Sequence, residues 1–481
     1  MKDLRKKAAR GIFWVFIDRA GSQFIGFVIT IFLARLLSPN EFGLVAMASV
    51  VIAITRIFID GGLRDSLIQK QNCTQSDYST IFLFNMVVSV FLLLVIFFIA
   101  PYVASFYGYA ELTDIIRVLG VIPFIGGLGI VQETIIQKDL TFNILAKMRL
   151  PAFIISGIIG LAMAWYGYGI WSLVIQAILE ILFFNILLWL NSKWRPVFEF
   201  DRKLFKFHWR HGSRLLVISA LGTIHRNIFS LIIGKFFSPS QLGFYSRAES
   251  FKTVTLNNTV GIIQTVSYPL LAKFQDNNEQ LKSKYRLIQQ STILILLPII
   301  AVLIVGAEPI IEFLLTKKWL PAAPILQVLM VAMVFSPFNS INHNILKVKR
   351  RTDLLLRINI INKVILIGVV FITVNLGFDY LVMTNLFMAV ISIFINNYYT
   401  NKLIGFSFKE QLLDLYPLLV SFIIAVFSAL ILDPYFVYNS LFIGILVRSL
   451  FVIGVYILII YLMKRNFLFE ARKNLMMLFG K

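Results

Sequence analysis

The sequence is poor in the groups on which soluble chemistry is usually built. Its single cysteine, Cys73, excludes an intramolecular disulfide, a Cys-based zinc cage and an iron–sulfur cluster. Of its four histidines, His208 and His211 stand three apart but have no third ligand close in sequence, so no metal site is expected. No G-x-x-x-x-G-K-S/T loop, G-x-S-x-G elbow or H-E-x-x-H pair occurs, which removes a Walker nucleotide site and two common hydrolase classes, and no cofactor is expected. Charge is scarce as well. Only 14% of the 481 residues are charged, against about 25% in a soluble domain, too few to build a water-facing surface.

What fills the chain instead is apolar: 58% of residues are hydrophobic. Some 14 apolar stretches tile the sequence, from 11–37 through 241–268 to 441–463, each near the roughly 20 residues that cross ~30 Å of hydrocarbon. They lack the alternation of barrel strands, so the expected class is an all-α polytopic membrane protein. The basic start (Lys2, Arg5, Lys6, Lys7, Arg10) runs into a first stretch long enough to span, with no A-x-A site, so a cleavable signal peptide is not expected.

The net charge of +21 would suggest nucleic acid in a soluble protein. Here its placement explains it. About 33 Lys and Arg fall in the even-numbered loops and termini, against about 4 (Arg35, Lys235, Lys317, Lys318) in the odd ones, a positive-inside bias that puts both termini in the cytoplasm. Membrane lipids, not nucleic acid, are the expected surroundings. The connector 192–213 mixes Lys193, Arg195, Arg202, Lys203, Lys206 and Arg210 with Phe198, Phe200, Leu204, Phe205 and Trp209, a composition suited to an amphipathic helix in the headgroup layer.

The hairpin Arg35-Leu36-Leu37-Ser38-Pro39-Asn40-Glu41-Phe42-Gly43 returns two hundred positions later as Lys235-Phe236-Phe237-Ser238-Pro239-Ser240-Gln241-Leu242-Gly243. A repeat of six spans keeps the same orientation in both copies. The expected organisation is an N-lobe (1–191), the connector (192–213), a C-lobe (214–400) and two further helices with a tail (401–481). Convergent turn chemistry is the competing explanation, since Ser-Pro is a common turn signal.

Eight cations lie within the apolar stretches: Arg19, Arg56, Arg117, Arg226, Arg247, Lys252, Lys363 and Arg448. A charge at mid-bilayer costs about 2.5–3.5 kcal/mol even on the lenient scale, so such groups face a wet cavity or one another. Arg117 and Arg448 lie near span ends, where they can snorkel, and Glu133 borders a loop. Arg19, Arg56, Arg226 and Lys252 fall in corresponding spans of the two halves, with Arg247 beside them. The excess of cations favours an anionic cargo, and phosphate or pyrophosphate suits arginine's planar fork. Asp18, Asp60, Glu133, Glu180 and Glu249 lie at similar depth, and His225 adjoins Arg226. Asp18, Asp60 and Glu249 are candidate counter-ions, and Asp18, Asp60 or His225 offers a route to ion coupling.

The stretch from Leu33 to Ala46, with Asp60-Gly61-Gly62-Leu63, Gly169-Ile170-Trp171-Ser172-Leu173-Val174, Trp194-Arg195-Pro196, Leu242-Gly243-Phe244-Tyr245-Ser246-Arg247-Ala248 and Lys318-Trp319-Leu320-Pro321-Ala322-Ala323-Pro324, resembles the polysaccharide exporters of the O-antigen, lipopolysaccharide and teichuronic-acid type. These belong to the multidrug/oligosaccharidyl-lipid/polysaccharide superfamily. The likeness runs in order along nearly the whole chain and weakens after about residue 400. It implies 14 helices in two six-helix lobes plus two, a cationic central cavity, and translocation of undecaprenyl-pyrophosphate-linked oligosaccharide. Polymerase and other glycan-assembly proteins would be its partners. Arg56-Ile57-Phe58-Ile59-Asp60-Gly61 is also similar to the second helix of lipid II flippases, which implies that Arg56 holds pyrophosphate. One departure stands out: many relatives carry Asp two residues after Asn227, where this chain has Phe229. That cation site does not carry over. Two other functions fit the same composition, a membrane-embedded glycan polymerase or ligase and a multidrug exporter; short external loops speak against the first, the surplus of interior cations against the second.

Overall fold

The computed structural model describes the backbone of residues 2–60, 62–433 and 440–463, with side chains there except at 2–13, 15, 16, 19, 60, 262 and 264–266. Among the described residues all regular structure is helical. The chain runs α1 (Lys2–Leu36), α2 (Pro39–Asp60), α3 (Leu63–Gln69), α4 (Gln75–Tyr107), α5 (Leu112–Leu119), α6 (Val121–Lys138), α7 (Phe142–Trp165), α8 (Trp171–Asn191), α9 (Arg202–Phe236) and α10 (Pro239–Leu256). A π-turn (Asn257–Gly261) leads into α11 (Ile262–Ala272), α12 (Asn278–Val305) and α13 (Ala307–Leu315). Then follow α14 (Ala322–Met333), α15 (Ser336–Val348), α16 (Thr352–Leu376), α17 (Phe378–Ile404), α18 (Phe408–Leu432) and α19 (Leu441–Met463).

Among the described residues, twelve helical segments are long and apolar enough to cross a membrane, which makes this a multi-pass membrane protein. They account for all but two of the expected stretches. In 11–37, part of α1, the apolar helix is described from Ala20 to Leu36, and several side chains before it lie outside the described residues. The stretch 241–268 is helical but carries Arg247, Glu249 and Lys252. The helices are apolar outward and small or polar inward, as lipid-facing bundles are. On α4, Val87, Phe91, Leu94 and Phe98 form an exposed stripe, while Asn85, Ser89 and Ala100 are buried. Gly127 of α6 lets that helix close on Ser89, where a Cβ would come within 2.1 Å of the hydroxyl oxygen.

The chain divides into two compact units, Met1–Ser246 and Arg247–Lys481. In the first, α1 packs on α7, α7 on α8, α4 on α6, and α2 and α3 on α9. In the second, α12 packs on α18, α14 and α15 on α17, α16 on α17, and α18 on α19.

The two matching hairpins both lie in the first unit and are built alike. Ser38 N–H and Oγ–H donate to Glu41 Oε2 at 2.7 and 2.8 Å. Ser238 does the same to Gln241 Oε1, at 3.0 and 3.1 Å. Both are reciprocal capping boxes that open a helix. The hairpins also meet each other: a Cβ on Gly43 would stand 1.8 Å from the Pro239 carbonyl oxygen, and one on Gly243 2.0 Å from that of Pro39. Glycine is required at both places because backbone touches backbone.

The connector forms no separate surface helix. Residues 192–201 carry no helix, and Asp201 then caps α9 by accepting from Lys203 and Leu204 N–H. The helix that begins there continues without a break to Phe236, about 50 Å at 1.5 Å per residue. Its first turns are held by a buried side chain. His208 Nδ1 lies 2.8 Å from Ser66 Oγ and Nε2 lies 3.0 Å from Asp77 Oδ1, while Lys70 Nζ donates to the same carboxylate oxygen at 2.5 Å. Ser66, Asp77 and His208 have at most 3% of their surface exposed. With no room for a substrate, this Ser–His–Asp line clamps α3, α4 and α9 together.

Candidate functional site

The first unit's interior charges form a connected network. Arg149, on the second turn of α7, splits its guanidinium between two carboxylates: Nη1 donates to Asp18 Oδ2 at 2.7 Å and Nη2 to Glu133 Oε1 at 2.9 Å. Arg64, at the start of α3, forms an ion pair with the same Glu133 oxygen, Nη2 lying 2.8 Å away. Gln137 Nε2, one turn on from Glu133 along α6, donates to that oxygen as well, at 3.3 Å. The Phe184 ring lies 4.8 Å from the Arg149 guanidinium carbon and supports the plane of its fork. Glu180 on α8, half-buried, stands within electrostatic reach of both Arg56 and Arg149. Arg56, Arg64 and Arg149 thus face Asp18, Glu133 and Glu180, drawn from six helices.

The network is neither sealed nor open. Side-chain exposure is 10% for Asp18, 16% for Glu133, 23% for Arg64 and 29% for Arg149. Fully buried charges would cost more than their pairing returns, and fully exposed ones would contribute little. Partial exposure leaves surface on the arginines while carboxylates compensate their charge.

The sequence-predicted residues are distributed as follows. Asp18 is a counter-ion, and its described partner is Arg149. The side chains of Arg19 and Asp60 lie outside the described residues. Arg56 is exposed on α2, facing Glu180. Arg226 is exposed on α9 and donates Nη2 to Thr223 Oγ1 at 2.7 Å, with His225 exposed beside it. In the second unit Arg247 is half-buried, and Lys252 Nζ lies 3.9 Å from Glu249 Oε1 one turn away. Arg448 pairs with Asp433 at 2.7 Å. Phe229, the departure from the exporter pattern, stacks on the buried Tyr245 at 5.9 Å between centroids.

Arg64 and Arg149 are residues of this network that the sequence alone does not single out, and Glu133 is one it places at interior depth without giving it a role. The first two count there as loop cations, and Glu133 stands at a loop border. A signal for one pair does exist: Glu133 sits near the end of one apolar stretch and Arg149 near the start of the next, and an antiparallel hairpin brings such positions to similar depth.

Comparison with known proteins places this geometry in context. The chain is 27% identical to the teichuronic acid biosynthesis protein TuaB of Bacillus subtilis (strain 168) over 359 residues, 74% of each chain. It is 22% identical to the lipopolysaccharide biosynthesis protein WzxC of Escherichia coli (strain K12) over 427 residues, 86% of this chain and 85% of that one. The succinoglycan biosynthesis transport protein ExoT of Rhizobium meliloti (strain 1021) shares 25% over 326 residues, 67% and 66% of the two chains. Among solved structures, the fold is similar to the lipid II flippase MurJ in an inward closed conformation, with TM-score 0.76, 16% identity and coverage of 95% of this chain and 100% of that one. An inward-facing multidrug resistance MATE transporter of the MOP superfamily gives TM-score 0.63 at 15% identity, covering 82% of this chain and 98% of that one. The family model described as "Polysaccharide biosynthesis protein" matches residues 32–324, more than half of the sequence, and the chain belongs to that family.

Proposed function

We propose that this protein is a flippase. It carries an undecaprenyl-pyrophosphate-linked oligosaccharide from the cytoplasmic to the outer leaflet of the bacterial inner membrane, making and breaking no covalent bond. The observation that carries this reading is the set of arginines held among transmembrane helices by carboxylates, in a fold like that of a lipid II flippase. A sugar chain on a pyrophosphate cannot enter hydrocarbon unaided, because its hydroxyls and charges would lose their water partners. A protein that presents donors and cations at membrane depth replaces those partners. Arginine is the apt residue, since its planar fork matches phosphate oxygens two at a time.

In this proposal Arg19, Arg56 and Arg226 of the first unit take the pyrophosphate and first sugars, and Arg247 and Lys252 meet the substrate in the second unit during transport. Asp18, Asp60, His225 and Glu249 serve as counter-ions or in ion coupling. The polyprenyl tail stays in lipid while the headgroup site opens to one leaflet and then the other. Moving an anion out of a negative interior is favourable by about 2.3 kcal/mol per charge per 100 mV, enough to give the cycle a direction. Both termini face the cytoplasm, and the matching hairpins support two six-helix lobes, 1–191 and 214–400, joined by 192–213 and followed by 401–481.

The test is a deletion strain. Single lipid-linked repeat units should accumulate on the cytoplasmic leaflet, and Arg56→Ala inserted at wild-type level should fail to restore export. Accumulation on the outer leaflet would instead indicate a polymerase or ligase, and wild-type glycan with Arg56→Ala would remove Arg56 from the site.

A further inference from the structure

In the first unit, two hydrogen-bond donors and a further guanidinium, from three helices, converge on a single oxygen. Arg64 Nη2 (α3), Arg149 Nη2 (α7) and Gln137 Nε2 (α6) all point at Glu133 Oε1, at 2.8, 2.9 and 3.3 Å. A carboxylate in an ordinary ion pair shares its two oxygens with one fork. Here one oxygen collects two guanidinium groups and an amide, which is how a phosphate oxygen is held in an anion receptor. The surrounding charges fit the same use. Arg149 turns its other terminal nitrogen to Asp18, and Arg64 meets Glu133 through a single terminal nitrogen of a guanidinium that carries five N–H donors. Both guanidinium groups keep about a quarter of their side-chain surface exposed, so an anion arriving through water can reach them.

We propose that Arg64, Gln137 and Arg149 form a pyrophosphate-binding cradle in which Glu133 is an internal placeholder, displaced when a phosphate oxygen enters. The inference rests on the flippase reading and deepens it by adding a docking point apart from Arg56 and Arg226. Exchange of anions answers an electrostatic problem that a transporter for a charged lipid must solve. An empty cluster of arginines at membrane depth would be strained by its own charge. A cluster neutralised by a permanent ion pair would have nothing to offer the cargo. A carboxylate tethered to α6 compensates the arginines in the unloaded state and yields to a ligand of higher charge, so neither state leaves them bare.

The placeholder makes an unusual prediction, a gain of binding on removing a charged residue. The experiment uses the full chain in nanodiscs and measures binding of inorganic pyrophosphate in one arm and of a polyprenyl pyrophosphate in the other, for wild type, Glu133→Gln, Glu133→Asp and Glu133→Gln/Arg149→Lys. Glu133→Gln keeps the shape and removes the competing charge, so affinity should rise roughly tenfold, the scale of one charge-assisted hydrogen bond no longer contested. Glu133→Asp draws the carboxylate back and should give a smaller gain, which keeps the test decisive if Glu133→Gln folds poorly. Arg149→Lys in the Gln background should cancel the gain. A gain in both arms assigns the cradle to the pyrophosphate group itself; a gain only with the polyprenyl form assigns it to the lipid headgroup in place. Unchanged or weaker binding by folded Glu133→Gln and Glu133→Asp in both arms would overturn the placeholder and leave a structural ion pair. Leaflet-translocation measurements on wild type separate the two readings. Translocation without the gain removes only the placeholder, whereas the gain without translocation removes the flippase function and leaves an anion site.

Discussion

The two units solve the same problem, how to keep polar groups inside a membrane protein, with opposite chemistry. The first uses ions: Asp18, Glu133, Arg64 and Arg149 are joined by short charged contacts across α1, α3, α6 and α7. The second uses neutral groups. Tyr285 Oη–H donates to Asn342 Oδ1 at 2.8 Å, Gln289 Nε2 to Gln411 Oε1 at 3.2 Å, and Asn396 Nδ2 to Asn339 Oδ1 at 2.8 Å. Ion pairs occur there too, among them Lys282–Glu410, Arg286–Asp414, Arg448–Asp433 and the looser Lys252–Glu249, but each is a contact between one cation and one carboxylate. Amides and hydroxyls fix helix register at modest cost and exchange nothing with an anion. Charges held half-open cost more and can change partner. The difference teaches that the ion network suits ligand exchange and the amide network suits holding helices in place.

The comparison breaks first on sterics. Gly43→Ala and Gly243→Ala each push a methyl into the partner hairpin's backbone, which cannot retreat as a side chain would. Each should cost about 3 kcal/mol, read as a lowered thermal midpoint in detergent, with equal loss at the two sites because the contact is reciprocal. Next comes Arg149→Ala, which strands Asp18 and Glu133. Discounted for its 29% exposed side chain, the change should cost about 2 kcal/mol and abolish export at normal insertion. Tyr285→Phe removes one neutral hydrogen bond in the second unit and should cost about 1 kcal/mol with export retained. Smallest is Gly368→Ala on α16, where nothing lies within 4 Å of the added methyl. It should leave stability unchanged or raise it by about 0.5 kcal/mol. Should Tyr285→Phe prove as damaging to export as Arg149→Ala, the division of labour between the units would fail.

Sequence carried the all-helical, multi-pass class because hydrocarbon imposes a simple rule. Apolar length needs no knowledge of contacts, and the two Ser-Pro hairpins share their capping chemistry in sequence as in structure. Polar partnerships were harder to read. Asp18 adjoins Arg19 in sequence, yet its partner across the fold is Arg149, 131 positions away. Arg64 looks like one more loop cation because its role depends on Glu133 of another helix. The connector misleads for a related reason. Its aromatics and cations fit a surface helix, but the buried His208 that clamps it to Asp77 and Ser66 is visible only once α3, α4 and α9 are packed. Gly62, at φ 65°, permits that packing: a Cβ there would stand 2.3 Å from the Gly212 carbonyl oxygen.

The central claim, that arginines of the first unit conduct a phosphorylated saccharide lipid across the bilayer, is tested most directly in proteoliposomes. Purified protein is reconstituted with a fluorescent lipid-linked oligosaccharide, and accessibility of the sugar to an external glycosidase is followed over time. The account predicts that wild type converts the protected inner-leaflet pool to an accessible one and that Arg56→Ala and Arg149→Lys leave it protected. Equal conversion by those variants, or none by well-folded wild type, would contradict it.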